Sequence, residues 1–377
     1  MKPTNLVFLL ARNLDCAMPG INGNCLSYTD AIDALGEESV RITCALSGEP
    51  DGKACRAAVL GGGYRAEILP PEETVFARCL SAAGYGVHFS GSWNRTGHAP
   101  LSPDSQTDAL LDTLDALRRG GAPFALFCDF DAPGDGSSPE LVSGDDLDPF
   151  RERWFRPAPS FALNDRSVPR SARLTASRLG EENERRKLRY AMLTALDRCV
   201  ERILSRVEES ALSRDTLIVF TSDGGLLFGD HGRIGGGTFY EEAVRTPLFL
   251  RRTMVLSPGE AELCISSADL CPTILALLNL PVPEEMTGRS FAPAILDGKT
   301  DDTPAVITGK DYAALRGRHY KLCRDLKRKK TMLFDLRTDP YELNDLAENE
   351  AFAALRAEME EALNARLSAL PPAKKRR

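Results

Sequence analysis

Three mostly apolar segments of strand length, residues 5–11, 122–129 and 216–222, constrain the fold most strongly. Such runs are typical of central strands that are buried on both faces of a parallel sheet. Helical patterns lie between them, and the clearest has apolar residues three or four positions apart, on one helix face. Its apolar positions are Leu188, Met192, Ala195, Cys199, Ile203 and Val207. Strands that alternate with helices predict an α/β fold, with a mixed, largely parallel sheet sandwiched by helices.

The pattern changes near residue 301, where short strand-like segments replace the alternation. These segments are followed by a helical pattern over 351–367, and they lie at 305–307, 319–322 and 332–335. We therefore predict an α/β domain over residues 1–304 and a small C-terminal α+β subdomain, an antiparallel sheet plus a helix, over 305–370. The basic tail, 371–377, is expected to be disordered.

Composition and charge exclude several classes of protein. A net charge of −7 over 377 residues gives no indication of a surface that binds nucleic acid. No apolar run approaches the length of a membrane span, and the run near the N-terminus is too short for a signal sequence. The ten cysteines are scattered without a CxxC pair, which favours reduced thiols. We expect a cytoplasmic protein that binds neither nucleic acid nor membranes.

Residues 50–64, PDGKACRAAVLGGGY, predict a tight turn that leads into a helix. The free N–H groups and the dipole at a helix N-terminus favour an anion, so such a turn usually presents a functional group. Here the head of the turn is Gly52, which has no side chain.

The segment 221–248, TSDGGLLFGDHGRIGGGTFYEEAVRTPL, resembles the sulfatase family of the alkaline-phosphatase superfamily. The resemblance runs from end to end, through KPTNLVFLLARNLD, AGYGVHFSGSWN, APFALFCDFDAP, RYAMLTALDRCVERIL, SSADLCPTILALLNLPVPEEMTGRSFAP and LFDLRTDPYELNDLAEN. It implies the family's fold. In active members it also implies a divalent metal, usually calcium, and a cysteine or serine at the head of the turn that is converted to formylglycine. The formylglycine hydrate attacks sulfur, while lysines, histidines and one arginine stabilise charge and protonate the leaving group.

The resemblance places the family's nucleophile at Gly52, in a register without gaps from residue 40 to residue 56. It places the two adjacent metal-binding acids at Arg12 and Asn13. The later metal-binding pair falls on Asp223, which is retained, and on Gly224, where the family has asparagine. A hard dication needs several oxygen ligands, so no calcium and no other cofactor is expected.

The groups that stabilise charge and donate protons are replaced as well. The arginine of the turn is retained as Arg56, but the next lysine and histidine fall on Ser92 and Asn94. A further histidine falls on Gly134 and a later lysine on Gly236. Of the ten family positions two survive, so the resemblance implies inherited architecture without an intact catalytic set.

Two retained residues are candidates for binding. His231 is the one histidine of four that lies in a family active-site loop, the GDHG segment. Arg56 either binds a small anion in the old pocket or pairs with a carboxylate such as Asp51. We further predict that Arg12 has replaced the metal and contacts Asp223 directly, because a guanidinium can bind a carboxylate bidentately. The alternative is that Arg12 points to solvent and Asp223 caps a helix.

Other residues near the turn were weighed as substitutes for the nucleophile or for metal ligands. Cys55 is interpreted as a small packing residue. Ser47 and Asp51 have no evident activating group beside them. The acids after residue 128 are interpreted as solvated loop residues rather than ligands; they are Asp129, Asp131 and Asp135.

The first hypothesis is therefore a sulfatase-like pseudoenzyme that acts as a binding or scaffolding protein. A sulfuric or phosphoric ester hydrolase with a rebuilt active site is the second, and an accessory subunit of an active homologue is the third. The partner is an unidentified small anion or a protein, and an oligomer with itself or with an active homologue is left open.

Overall fold

The computed structural model describes residues 3–93, 101–166, 168–209 and 212–372. Its strands are β1 (Asn5–Arg12), β2 (Val40–Leu46), β3 (Gly86–Gly91), β4 (Phe124–Pro133), β5 (Thr216–Ser222), β6 (Leu227–Phe228), β7 (Ile234–Gly235), β8 (Arg245–Thr246), β9 (Leu248–Arg251), β10 (Gly259–Ser266), β11 (Ala305–Thr308), β12 (Tyr312–Arg316), β13 (Tyr320–Asp325) and β14 (Lys330–Asp335). Its α-helices are α1 (Asp30–Glu37), α2 (Gly52–Gly61), α3 (Val75–Ala82), α4 (Pro103–Gly120), α5 (Gly144–Leu147), α6 (Leu179–Glu209), α7 (Glu241–Val244), α8 (Ser267–Leu277), α9 (Ala292–Asp297) and α10 (Ala353–Ala369).

The central sheet has the order β10-β2-β9-β5-β1-β4-β3, with β8 beside β2. Strand β1 runs parallel to both β4 and β5, and β3 runs parallel to β4. Strand β9 is antiparallel to β5 and β2, whereas β10 is parallel to β2. The sheet is thus mixed and largely parallel, as predicted.

Helices cover both faces of the sheet, which explains the continuous apolar runs. Leu6, Phe8 and Leu10 of β1 face one core cluster, which includes residues of α2, α3 and α8. The alternate residues Val7 and Leu9 face a second cluster, which includes residues of α1, α4 and α6. Successive side chains of a strand point to opposite faces, so a strand between two helical layers is apolar throughout.

The long helix α6 extends beyond the pattern that predicted it. Most of the predicted face is buried, from Met192 at 4% exposure to Val207 at 0%, while Leu188 is half-buried. The helix also carries charged residues along its length. No helix among the described residues is long and apolar enough to cross a membrane.

The C-terminal sheet has the antiparallel order β11-β12-β13-β14. Strand β12 was missed from the sequence because its short segment, YAALR, has no strand-like alternation, and it is held by β11 on one side and β13 on the other. Helix α10 shares a core cluster with this sheet, and Ala58 and Tyr64 from the main domain join the same cluster. The boundary at residue 304 stays a prediction.

Candidate functional site

The turn at residue 52 begins helix α2. The side chain of Asp51 accepts a hydrogen bond from the Ala54 N–H at 3.1 Å and so acts as the N-cap. The helix ends at Gly62, whose φ of +66° is left-handed, a conformation that glycine adopts without strain. The predicted architecture of the turn is therefore present.

Three parallel strands, β1, β4 and β5, bring charged residues to one edge of the sheet, beside this turn. Arg12 ends β1, Asp223 follows β5, and Asp129 and Asp131 lie near the end of β4. The carboxyl ends of neighbouring parallel strands meet at the same edge, and Arg56 reaches this edge from α2. Three carboxylates and two guanidinium groups thus meet where the resemblance places the family's active site.

Arg56 and Asp223 form the central ion pair of this site. Arg56 Nη1 lies 2.6 Å from Asp223 Oδ2, and both side chains are buried. The other oxygen, Asp223 Oδ1, accepts a hydrogen bond from the Asn13 N–H at 2.8 Å. Arg56 Nε also lies 3.7 Å from Asp129 Oδ2. Arg56 is therefore paired with carboxylates, as one of its two interpretations predicted, but with Asp223 and Asp129 rather than with Asp51.

The predicted contact between Arg12 and Asp223 is wrong. Arg12 Nη1 pairs with Asp131 Oδ1, and Arg12 Nη2 lies 3.7 Å from Asp129 Oδ2. The pairing of β1 with β4 extends to Arg12, whereas its pairing with β5 ends at Ala11, so Arg12 lies beside the carboxylates of β4. The alternative, in which Arg12 points to solvent, is wrong as well, since its side chain is 27% exposed and engaged in this pair.

Asp129 and Asp131 are not solvated loop acids, because β4 continues to Pro133 and buries both of them. Asp131 Oδ2 accepts hydrogen bonds from Ser92 Oγ at 2.7 Å and from the Leu101 N–H at 3.1 Å. Neither oxygen of Asp129 accepts a hydrogen bond from the described residues. Burial raises the pKa of Asp129 to about 7, although Arg56 and Arg12 oppose this shift. The third acid, Asp135, is half-buried and lies 3.1 Å from Arg185.

The position of the family's nucleophile is filled by neighbouring side chains. A Cβ atom added to Gly52 would lie 2.7 Å from Asp223 Oδ2 and 3.4 Å from Arg56 Nη1. Separations under 3.0 Å are essentially never seen for a real Cβ atom. The Arg56–Asp223 pair therefore occupies the space in which a side chain at position 52 would stand.

The residues weighed as substitutes for the nucleophile have structural contacts. Ser47 Oγ donates a hydrogen bond to the Asp223 carbonyl at 3.0 Å. Cys55 is fully buried, and burial raises the pKa of its thiol to about 12, which disfavours the nucleophilic thiolate. The interpretation of Cys55 as a packing residue agrees with this placement.

Four further replaced positions lie among the described residues. Ser92 hydrogen-bonds Asp131 as described above, and the Gly134 N–H donates to the Arg12 carbonyl at 3.0 Å. Gly224 is buried with a φ of +146°, and Gly236 is exposed in the loop after β7. Asn94 lies outside the described residues.

Sequence reasoning missed Arg189, which lies on α6 with 1% exposure. Its guanidinium donates to the carbonyls of Gly134 and Asn13, both at 2.8 Å, and it lies 3.6 Å from Asp15. Burial lowers the pKa of Arg189 to about 10. Arg189 thus supports two loops of the site. A charged residue between the apolar positions of a buried helix face was the signal that could have identified it.

His231 lies in the loop between β6 and β7, in a setting different from that of Arg56. Its ring stacks on Tyr240 with 3.6 Å between centroids, and its Nε2 lies 3.6 Å from Glu242 Oε2. Glu342 completes a group of three side chains whose ligand atoms lie within 4.8 Å of one another. The prediction that Arg56 and His231 bind a ligand is not tested by these contacts.

The residues of the site do not fit the calcium ion that the resemblance implies for active members. The positions of three of the four ligands hold Arg12, Asn13 and Gly224, and Asp223 already binds Arg56 and the Asn13 N–H. Two guanidinium groups lie against the three carboxylates, and these positive charges would repel a divalent cation. This arrangement favours an internal ion-pair network over a metal centre.

Two protein-family models match the chain. The model described as "Sulfatase" matches residues 151–280, and the model described as "N-sulphoglucosamine sulphohydrolase, C-terminal" matches residues 229–369. Together they span residues 151–369, more than half of the chain.

Relatives and solved structures agree with these matches. An ulvan-active sulfatase of Formosa agariphila is 25% identical over 97% of this chain and 81% of the relative. A multifunctional alkaline phosphatase superfamily protein, PehA of Trinickia caryophylli, is 31% identical over 50% of this chain and 41% of the relative. The structure of BT4656 in complex with its substrate D-glucosamine-2-N,6-O-disulfate superposes with a TM-score of 0.84, at 18% identity and with full coverage of both chains. The chain belongs to the sulfatase family of the alkaline-phosphatase superfamily.

Proposed function

We propose that this member of the sulfatase family does not hydrolyse sulfate esters and acts as a binding or scaffolding protein. The observation that carries the proposal is the Arg56–Asp223 ion pair, which fills the space in front of Gly52. Formylglycine requires a cysteine or serine precursor, and glycine offers no side chain for covalent catalysis. Three of the four calcium-ligand positions hold other residues as well, so the site lacks the nucleophile and most of the metal ligands that the resemblance implies for active members.

The test is a turnover assay of the purified full chain. We expect 4-nitrophenyl sulfate, 4-nitrophenyl phosphate and phenylphosphonate monoesters to be hydrolysed at the rate of the buffer alone, with and without added calcium. An active sulfatase treated in parallel is the positive control. Hydrolysis above the buffer rate that co-purifies with the chain would contradict the proposal.

A specific observation favours a second candidate, a hydrolase with a rebuilt site. Asp129 is buried at the former active-site edge, its oxygens accept no hydrogen bond from the described residues, and its pKa of about 7 suits a general acid or base at neutral pH. If turnover is found and is lost in the Asp129→Asn variant, this candidate replaces the pseudoenzyme. Turnover that survives Asp129→Asn excludes Asp129 as the group responsible.

A small anion that binds in the old pocket has to compete with Asp223 for Arg56. Asp223→Asn removes the negative charge and keeps a side chain of similar size, so it should free the guanidinium for a ligand. We expect sulfate, titrated to about 10 mM, to raise the Tm of Asp223→Asn more than that of the wild-type chain. Equal shifts in the two proteins would place any sulfate binding elsewhere.

Candidate ligands for a binding role can be taken from the names of the relatives. The names of those relatives include ulvan and D-glucosamine-2-N,6-O-disulfate. Both are therefore the first probes for calorimetry against this chain. Binding without turnover supports a binding role. If neither probe binds, that role rests on a protein partner, which a pull-down from native lysate is designed to find.

A further inference from the structure

Two cysteines on neighbouring strands lie side by side away from the residues discussed above. Cys44 of β2 and Cys264 of β10 are register partners in a parallel pair of strands. Both belong to the core cluster that packs against the C-terminal sheet, so their side chains share one face. Neighbouring strands lie about 4.8 Å apart, within the Cα separation of about 4.4–6.8 Å that a disulfide spans.

A cavity of about 220 Å³ opens beside these two thiols. Arg318 and Glu262 also line it, and their side chains are 37% and 48% exposed, so the cavity reaches the solvent. Cys44 and Cys264 are only 6% and 5% exposed, but they form part of the wall. Since a water takes about 30 Å³ of liquid volume, a molecule of a few heavy atoms can reach the sulfur atoms.

The charge of the cavity favours a thiolate. Arg245, Arg316 and Arg318 all contribute to the wall, and Arg245 Nε has no hydrogen-bond partner among the described residues. A hydrogen bond from Cys264, together with the nearby Arg316 and Arg245, lowers the pKa of Cys44 to about 7 against the opposing effects of burial and of Glu241. Arg316 and Arg318 also pair with Glu241 and Glu262, so the wall carries charges of both signs and admits a small neutral molecule.

We propose that Cys44 and Cys264 form an oxidation site for small hydroperoxides, with Cys44 as the reacting thiolate and Cys264 as the resolving thiol. The Cys44 sulfur attacks one oxygen of the hydroperoxide, the O–O bond breaks, and the protonated remainder leaves as an alcohol or water. Cys44 becomes a sulfenic acid. The Cys264 sulfur then displaces its oxygen as water, which forms the disulfide between the two strands. Two electrons pass from the two thiols to one hydroperoxide. This proposal goes beyond the binding role and uses none of the residues of that site.

The experiment treats the full-length chain with about a twofold molar excess of hydrogen peroxide and blocks the remaining thiols. Digestion with trypsin and Asp-N gives peptides 42–50 and 253–268, each with one of the two cysteines. We expect these peptides linked, about 2 Da lighter than their sum, before the exposed Cys25 is modified. A linked pair in the protein as purified supports the proposal equally. Both thiols still reduced after Cys25 is oxidised would overturn it.

Single variants test the two roles. In Cys264→Ser, Cys44 should accumulate as a sulfenic acid that dimedone traps, whereas in Cys44→Ser the Cys264 thiol should stay reduced. Cys271→Ala is the matched control, because Cys271 is buried in a different cluster and lies seven residues after Cys264, outside the linked peptide. It should leave the linkage unchanged. An unmodified Cys44 in a folded Cys264→Ser variant would contradict the assignment. If a variant does not fold, the proposal is tested by the result for the wild-type chain.

Discussion

At the scale of the residue, the cation that pairs with Asp223 differs from the predicted one. Asp223 was expected to be neutralised by Arg12, on the neighbouring strand, but it is neutralised by Arg56 from helix α2. Arg12 is taken by the carboxylates of β4. A buried carboxylate has to be paired, and the geometry of the edge decides which cation reaches it.

The Arg56–Asp223 pair should show strong energetic coupling. Arg56→Met alone leaves Asp223 and Asp129 buried without this cation, which should lower the free energy of unfolding by about 3–5 kcal/mol. Arg56→Met combined with Asp223→Asn should cost much less, and urea unfolding of the four proteins gives the coupling. The exposed pair Lys299–Asp297, treated in the same way, should couple by less than about 1 kcal/mol. Additive costs at Arg56 and Asp223 would refute the pairing.

Asp129 should make the stability depend on pH. Burial raises its folded-state pKa from 3.8 to about 7, so the folded protein binds the proton more tightly than the unfolded chain does. This stabilisation is complete below about pH 4 and is lost as the pH rises through 7. Asp15 and Asp197, with pKa values raised to about 6, act in the same window.

The Asp129→Asn variant isolates the contribution of this carboxyl group. The wild-type free energy of unfolding should fall between pH 4 and pH 7 more steeply than that of the variant, by at most about 1.4 kcal/mol per pH unit. Urea unfolding at four pH values measures both slopes. Parallel curves would mean that Asp129 keeps the same proton affinity in both states.

At the scale of the element, β4 and α2 define the site between them. The apolar pattern predicted a strand to residue 129, but β4 continues to Pro133 and carries Asp129 and Asp131 into the sheet. Helix α2 begins at Gly52, where the nucleophile of active relatives would stand, and the glycine leaves room for the Asp223 carboxylate. The start of α2 is therefore tied to the ion pair in front of it.

Gly52→Ala should destabilise the protein, whereas a matched glycine should not. A methyl group at position 52 meets Asp223 Oδ2 at 2.7 Å, which should cost about 1–3 kcal/mol. Gly180, also near a helix start, has no atom of the described residues within 4 Å of an added Cβ, so Gly180→Ala should be neutral or stabilising by up to about 1 kcal/mol. The Tm of the two variants provides the comparison. A stable Gly52→Ala variant would show that the pair can move aside.

At the scale of the whole molecule, a buried lysine links the C-terminal sheet to the main domain. Lys321 of β13 is fully buried, and its Nζ lies 2.9 Å from both Glu241 of α7 and Glu342 after β14. Arg316 of β12 pairs with the same Glu241. The charges that connect the two units are therefore shielded from water, where ion pairs are weakened least by salt.

Lys321→Met should weaken both units together. The change leaves Glu342 without its cation, and we expect a loss of about 3–5 kcal/mol in the free energy of unfolding. The exposed Lys299→Met is the control and should cost about 0.5 kcal/mol or less. Urea unfolding monitored by circular dichroism measures the free energy of unfolding of the whole chain. Hydrogen exchange of the β12 and β13 amides measures the local stability of the C-terminal sheet. Lost protection confined to β12 and β13 would show that the C-terminal sheet opens alone.

Much of the fold, and the absence of a side chain at position 52, could be predicted from the sequence. The apolar runs predicted β1 and β5 closely, and the spacing on α6 predicted its buried face. These features depend on local periodicity, which a sequence carries directly. The absence of a nucleophile at Gly52 is likewise a matter of residue identity in a register without gaps. Strand β12 was not predicted, because pairing with its neighbours rather than its own pattern makes it a strand.

The pairing of charges at the site was decided by the tertiary structure alone. Arg12, Arg56 and Asp223 were identified in the sequence, but their partners depend on distances of a few ångströms between β1, β4, β5 and α2. Asp129 and Asp131 illustrate the difference most clearly, since β4 continues to Pro133 and buries two acids that were expected to be solvated. Ion pairing and pKa respond to the local environment in three dimensions, and residues that are 167 positions apart, as Arg56 and Asp223 are, meet only when the sheet has formed.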